Sequence, residues 1–276
     1  MRMLFILLVL LGIPAKAVEH TVMITILHTN DLHGHIRPWR GWDGNLVGKT
    51  IGGFGRIASV VKQERAETPG ALLLAAGDAL GDSMIADLSQ GTAIRELMNA
   101  VGYDAMTIGN HEPDFKSQGL RDWIAGADFL VLAANLTLRA TGQLSTQPYL
   151  MRTVEGIKVG IRGLAYPNAA LTNGPENVAD LSFGPSVEAA RHFIPLMKNE
   201  GAQVIIALTP CSPMAVTTTA PSSKNTTSSS ISANTKQSKP RSKSGVGSKL
   251  QSDRIEIPTV AHHGIGRILI PAADGP

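Results

Sequence analysis

The chain has 276 residues, room for one large domain or two small ones, and its hydrophobic content of 43% supports a sizeable core, which excludes a wholly disordered protein. No apolar run of 18 or more residues follows the N-terminal stretch, so a membrane channel or pump is excluded and no membrane span is expected. The net charge of +3 is unevenly spread: residues 18–210 carry 15 Lys and Arg against 19 Asp and Glu, whereas residues 211–254 carry seven basic residues against Asp253 alone. The basic segment interleaves no aromatic residues for stacking on bases, which argues against a nucleic-acid partner.

In chain order, residues 1–17 read as a secretory signal: Arg2 supplies the positive end, Leu4 to Ile13 the apolar stretch, and Ala15-Lys16-Ala17 the small-residue cleavage site. Ten apolar residues are too few to cross a bilayer, so the expected outcome is export to a periplasm or the medium, with Val18 as the first mature residue. Cys211 is the only cysteine, so disulfides do not hold the core.

From Val22 to Leu208 short apolar runs alternate with amphipathic stretches. Strands are predicted at 22–28, 71–76, 105–108, 129–133, 157–164 and 203–208. Helices are predicted at 54–67 on Ile57, Val60, Val61 and Glu64, at 91–101 on Ile94, Leu97, Met98 and Val101, and at 186–199 on Val187, Ala190, Ile194 and Met197 despite Pro195. The fold class is α/β, a layered sheet with covering helices.

Residues 211–250 hold eleven Ser and six Thr with no helical or strand period, too little apolar area to offset the entropy of ordering, and are expected to be disordered. The domain reading is therefore a signal at 1–17, a folded domain at 18–209, a low-complexity segment at 210–254 and a short C-terminal segment at 255–276, in which Ile255 to Ile270 is apolar enough to add a strand.

Three polar clusters follow predicted strands, where open α/β sheets bind ligands: Thr29 to His35, Ala76-Gly77-Asp78, and Ile108 to Asp114. Asp31 and His33 alternate, so both can turn to one side of a loop and offer an oxygen and a nitrogen to a divalent ion. Asp78 offers a carboxylate able to bridge two ions, and Asn110 offers an amide oxygen. His111 and Asp114 are three apart, a spacing at which the carboxylate can fix the imidazole tautomer and stabilise its protonated form. Singly, each cluster is ordinary turn or cap chemistry. Together, at successive strand ends, they point to a metal site.

The order Asp31-Leu32-His33-Gly34, Gly77-Asp78, Gly109-Asn110-His111-Glu112 resembles the calcineurin-like metallophosphoesterases. The Gly52 to Arg56 turn, the stretch Ala76 to Ser83, the stretch Thr107 to Asp114 and Ala134-Asn135-Leu136 resemble the exported 5'-nucleotidase branch, over about residues 22–209. The resemblance implies a β-sheet sandwich flanked by helices and a two-metal hydrolase of small phosphate esters, nucleotides foremost. It also implies in-line attack without a covalent intermediate. By that resemblance Asp31 and His33 hold the first metal, Asp78 bridges, Asn110 holds the second, and His111 oriented by Asp114 stabilises charge developing at the phosphate. Mn, Zn, Mg, Co and Fe each suit some of these ligands.

The family pattern next calls for a strand ending in Leu-Thr-His and a later Gly-Gly-His turn that completes both metal shells. Here Ala207-Leu208-Thr209 is followed by Pro210, which cannot ligate, and no Gly-Gly-His occurs, so the metallophosphoesterase domain is expected to be incomplete at its C-terminal end and its turnover low. His262 and His263 are possible replacements, of which at most one could reach the site from a strand. Composition, charge and family agreement all change at Thr209–Pro210, which suggests a reading-frame shift, an unspliced insert or a gene-model junction. His28, His35 and His192 read as structural, and Lys116 stands where the family has Gly. Alternatives to nucleotide hydrolysis are a thiosulfohydrolase-like relative and a non-catalytic exported protein that binds metal or phosphate.

Overall fold

The structure, a computed structural model, describes residues 21–41, 47–210, 215–218, 254–256 and 263–271, the last three segments as backbone. The expected signal at 1–17, His262 and most of the Ser/Thr/Lys-rich stretch lie outside the described residues.

In chain order the elements are β1 (Thr21–Thr29), β2 (Trp39–Arg40), β3 (Thr50–Ile51), α1 (Phe54–Glu67), β4 (Leu72–Ala75), α2 (Met84–Ser89), α3 (Thr92–Val101) and β5 (Ala105–Thr107). A 3-10 turn, Glu112–Phe115, leads into α4 (Lys116–Ala125), β6 (Leu130–Leu132), β7 (Leu136–Leu138), β8 (Tyr149–Val154) and β9 (Ile157–Gly163). Then come α5 (Ala169–Thr172), β10 (Leu181–Phe183), α6 (Ser186–Asn199), β11 (Val204–Leu208), β12 (Ala215–Thr218), β13 (Arg254–Glu256) and β14 (His263–Pro271).

Two five-stranded sheets carry the fold, one ordered β14-β1-β4-β5-β6 and the other β13-β12-β11-β9-β8. Strand alternation builds the layers. Ile24 and Ile26 of β1, Leu72 and Leu74 of β4, Val159 and Ile161 of β9, and Val204 and Ile206 of β11 meet in one buried cluster between the sheets. The opposite residues, Leu27 of β1 and Leu73 and Ala75 of β4, pack with Val61 of α1, Ile94 and Met98 of α3, and Leu120 and Trp123 of α4. Ile205 of β11 packs with Met197 of α6 on the outer face of the second sheet. The expected sandwich flanked by helices is what the chain forms.

All six predicted strands and all three predicted helices are present, α1 and α6 with the predicted bounds. Two apolar positions assigned to inward helix faces point to solvent instead: Val60 is 45% exposed and Val187 62%. The elements not anticipated are short or weakly patterned. α4 buries little beyond Ser117, Leu120 and Trp123 and contains Gly119; β8 is an edge strand with exposed Arg152 and Thr153. The C-terminal segment contributes β13 and β14, and β14 runs antiparallel along the whole of β1 with His263 opposite Thr29. Within the stretch read as disordered, Ala215–Thr218 pairs antiparallel with β11.

Candidate metal centre

β1, β4 and β5 are parallel neighbours, so their C-terminal ends lie along one edge and the three polar clusters become adjacent loops. Backbone hydrogen bonds knit the first loop to the second: Asp31 N donates to Gly77 O (3.2 Å), His33 N to Asp78 O (3.0 Å) and Gly34 N to Ala79 O (2.9 Å). This course requires left-handed backbone at Asp31 (φ 51°), His33 (φ 44°), Asp78 (φ 53°) and Asp82 (φ 42°). Asp, Asn and His tolerate that region better than most residues, and strained positions collect at functional sites.

Asp78 is buried, and its Oδ1 accepts hydrogen bonds from the backbone N–H groups of Asn110 (2.8 Å) and His111 (3.0 Å). A Cβ at residue 109 would stand 2.2 Å from that oxygen, so Gly109 is what lets the carboxylate lie against the third loop. Burial pushes the Asp78 carboxyl up from the usual range; the His111 N–H opposes this, and the charge of Asp31 adds to it.

Glu112 fastens the second and third loops together. Its fully buried carboxylate accepts from the backbone N–H groups of Asp78 (3.1 Å), Ala79 (2.8 Å), Leu80 (3.4 Å) and Gly109. Burial pushes its pKa up to about 8, the nearby Asp78 charge adds to the rise, and the N–H donors oppose it. The sequence reading gave Glu112 no role, although a charged residue directly after His111 in a loop between apolar strands was a usable signal.

His111 Nδ1 lies 2.8 Å from Asp114 Oδ2, as the three-residue spacing predicts. The hydrogen bond to Asp114 raises the imidazole pKa to about 9 against the effect of burial, and the charges of Asp114, Asp78 and Asp82 assist. The metal-free imidazole is therefore protonated near neutral pH. Its ring packs over Gly81, where a Cβ would come within 2.6 Å, and meets the His33 ring edge-on at a centroid distance of 5.0 Å.

The structure thus gathers His33, Asp78, His111 and Asp114 with the backbones of Asp31 and Asn110. Asn110 is half-buried, and its carbonyl accepts from Asn173 Nδ2 (2.6 Å), a contact the sequence did not suggest. The donor set fits divalent ions on two counts. The carboxylate of Asp78 is desolvated yet oriented by two N–H groups, and the Nδ1 of His33 is buried with no hydrogen-bond partner among the described residues.

Pro210 is buried beside this centre, its Cγ 3.1 Å from where a Cβ on Gly77 would stand. The position expected to carry a ligand is therefore at the site and occupied by a non-ligand. His28 is buried on β1, while exposed His35 lies tilted against Trp39 (5.3 Å) and His192 meets Phe193 edge-on (4.6 Å). Lys116 has φ 64° and ψ 168°, a conformation close to glycine-only, at the position where the resemblance calls for Gly. Asn135 is buried, its Nδ2 donating to the carbonyls of Ala165 and Gly184 and its Oδ1 accepting from Ala165 N, which ties the loop after β6 to the one after β9.

Residues 24–206 match the calcineurin-like phosphoesterase family. Protein UshA of Salmonella pullorum is 38% identical over 202 residues, covering 71% of this chain and 36% of that protein. A 5'-nucleotidase of Vibrio parahaemolyticus is 36% identical over 201 residues, covering 69% and 34%. Among solved structures, a 5'-nucleotidase precursor from Thermus thermophilus aligns with a TM-score of 0.62 at 29% identity, covering 68% of this chain and 37% of that one. The chain spans about a third of the length of these relatives.

Proposed function

We propose that this chain, which belongs to the calcineurin-like phosphoesterase family, is an exported metal-dependent hydrolase of small phosphate esters, with nucleoside monophosphates the leading substrates and turnover depressed by Pro210. The observation that carries the reading is the convergence of Asp31, His33, Asp78, Asn110, His111 and Asp114 on three loops at one sheet edge.

Asp31 and His33 would hold one divalent ion, Asn110 another, and Asp78 both. When bound, such ions supply Lewis acidity toward a phosphoryl oxygen and make water nucleophilic near neutral pH. Asp78 is kept in place for this by the Asn110 and His111 N–H groups, and the loop that carries those N–H groups is held by Glu112. His111, protonated through Asp114, presents a cationic donor to the anionic phosphate and to charge developing on the leaving oxygen. Water then attacks phosphorus as the ester oxygen departs, giving inorganic phosphate and an alcohol.

The side chain of Pro210 offers no ligand atom and its backbone no donor N–H, and it lies against the loop of Asp78. The same observation favours a second reading, a non-catalytic protein that retains metal or phosphate binding. Phosphate release from adenosine monophosphate by the full chain, with Mn or Zn and with a chelator, separates the two. Slow, metal-dependent hydrolysis abolished by His111→Ala supports the enzyme. Metal binding without any hydrolysis supports the binder, and turnover on the order of 10 per second would refute the depressed rate.

A further inference from the structure

Asp82 lies outside the ligand set named above, yet it stands inside the centre. It follows Gly81, which the His111 ring covers, and turns back through left-handed backbone so that its Oδ2 lies 3.7 Å from His33 Nδ1. Ligand atoms of His33, Asp82 and His111 all fall within 4.8 Å of one another. His111 Nδ1 is committed to Asp114, which leaves His33 and Asp82 as the pair facing each other.

The separation is informative. At 3.7 Å the pair is beyond hydrogen-bond range, and His33 Nδ1 is buried without a hydrogen-bond partner among the described residues. Two protein atoms on one divalent ion, with bonds of about 2.1 Å, stand roughly 3–3.5 Å apart. A shared cation therefore fits the gap better than a direct contact does, and it would give the orphaned nitrogen a partner. The Asp82 side chain is 72% exposed, so an ion can reach it without opening the fold.

We infer that Asp82 is a ligand of the ion held by His33, adding a carboxylate oxygen to a shell that the chain's own residues otherwise leave short. The inference rests on the metal-dependent reading of the site.

Thiolate chemistry tests it. In full-length protein carrying Cys211→Ser, Asp82→Cys is loaded with Co(II) and compared with the Cys211→Ser parent by metal content and by absorption. A thiolate-to-cobalt charge-transfer band in the near ultraviolet, present only with Cys at 82, is the expected result. Asp82→Asn, a smaller change, is expected to weaken Co(II) binding roughly tenfold and to alter the visible cobalt bands. If the parent binds Co(II) while Asp82→Cys shows no such band and Asp82→Asn leaves affinity and spectrum unchanged, Asp82 is not a ligand and the wider metal reading survives. If the parent binds no Co(II), both are overturned.

Discussion

In the first sheet, β1, β4 and β5 pass from buried aliphatic residues straight into Asp31, His33, Asp78, Asn110 and His111; in the second, β9 and β11 are equally buried but run into Leu164 and Thr209-Pro210. The strands themselves differ little, since both sheets supply the shared core from alternate residues. Apolar alternation thus specifies where a strand lies and says nothing about chemistry. The two to four residues beyond the strand decide that: after β1, β4 and β5 they include Asp31, His33, Asp78, Asn110 and His111, whereas Leu164 to Tyr166 after β9 and Thr209-Pro210 after β11 include no carboxylate or imidazole.

The sharpest test of that contrast is Glu112→Ala. It leaves the N–H groups of Asp78, Ala79, Leu80 and Gly109 buried without their acceptor, and the expected loss is about 3–5 kcal/mol in urea unfolding. A loss under about 1 kcal/mol would mean that the loops are held by something other than this carboxylate.

Next comes pH. The His111 pKa is raised from 6.5 to about 9 in the folded metal-free chain, so the stabilisation from its pairing with Asp114 is fully present below about pH 6.5. It is lost as pH rises through about 9, and its size is on the order of 2 kcal/mol. Comparing wild type with Asp114→Asn at about pH 6 and about pH 9.5, after chelation, should show a difference at the lower pH that shrinks at the higher. A constant difference would remove the charged pair from the account.

Pro210→His carries the contrast to the second sheet. A ligand restored there should tighten metal binding roughly 10–100-fold, read by titration with Zn or Mn, and raise phosphate release. No change in either quantity would show that Pro210 is not what limits the site. The smallest effect is expected at Lys116, whose conformation favours glycine: Lys116→Gly should raise stability by about 1–2 kcal/mol, visible in the urea midpoint.

Much of the architecture was legible because its strands are buried and its longer helices amphipathic: β1, β4, β9 and β11 announce themselves as aliphatic runs, and α3 by Ile94 and Met98 between two glycines. α4 and β8 were hidden, the first because Leu120 and Trp123 are nearly its whole inward face, the second because an edge strand keeps polar residues. In the site, residues whose own chemistry is distinctive could be read directly, and the His111–Asp114 contact followed from spacing. Glu112 and Asp82 could not be placed in that way. Glu112 acts on backbone N–H groups up to 34 residues away, and Asp82 meets His33 only after the chain reverses at Gly81. Such partners are set by loop geometry that periodicity does not encode.

The most direct test of the central claim is divalent metal retained per chain after loading with Mn or Zn and desalting, in wild type and in Asp78→Asn. The account predicts at least one ion held by the wild type, with retention greatly reduced when the shared carboxylate is gone. No retained ion in the wild type, or equal retention in both proteins, would contradict a metal centre built on these three loops.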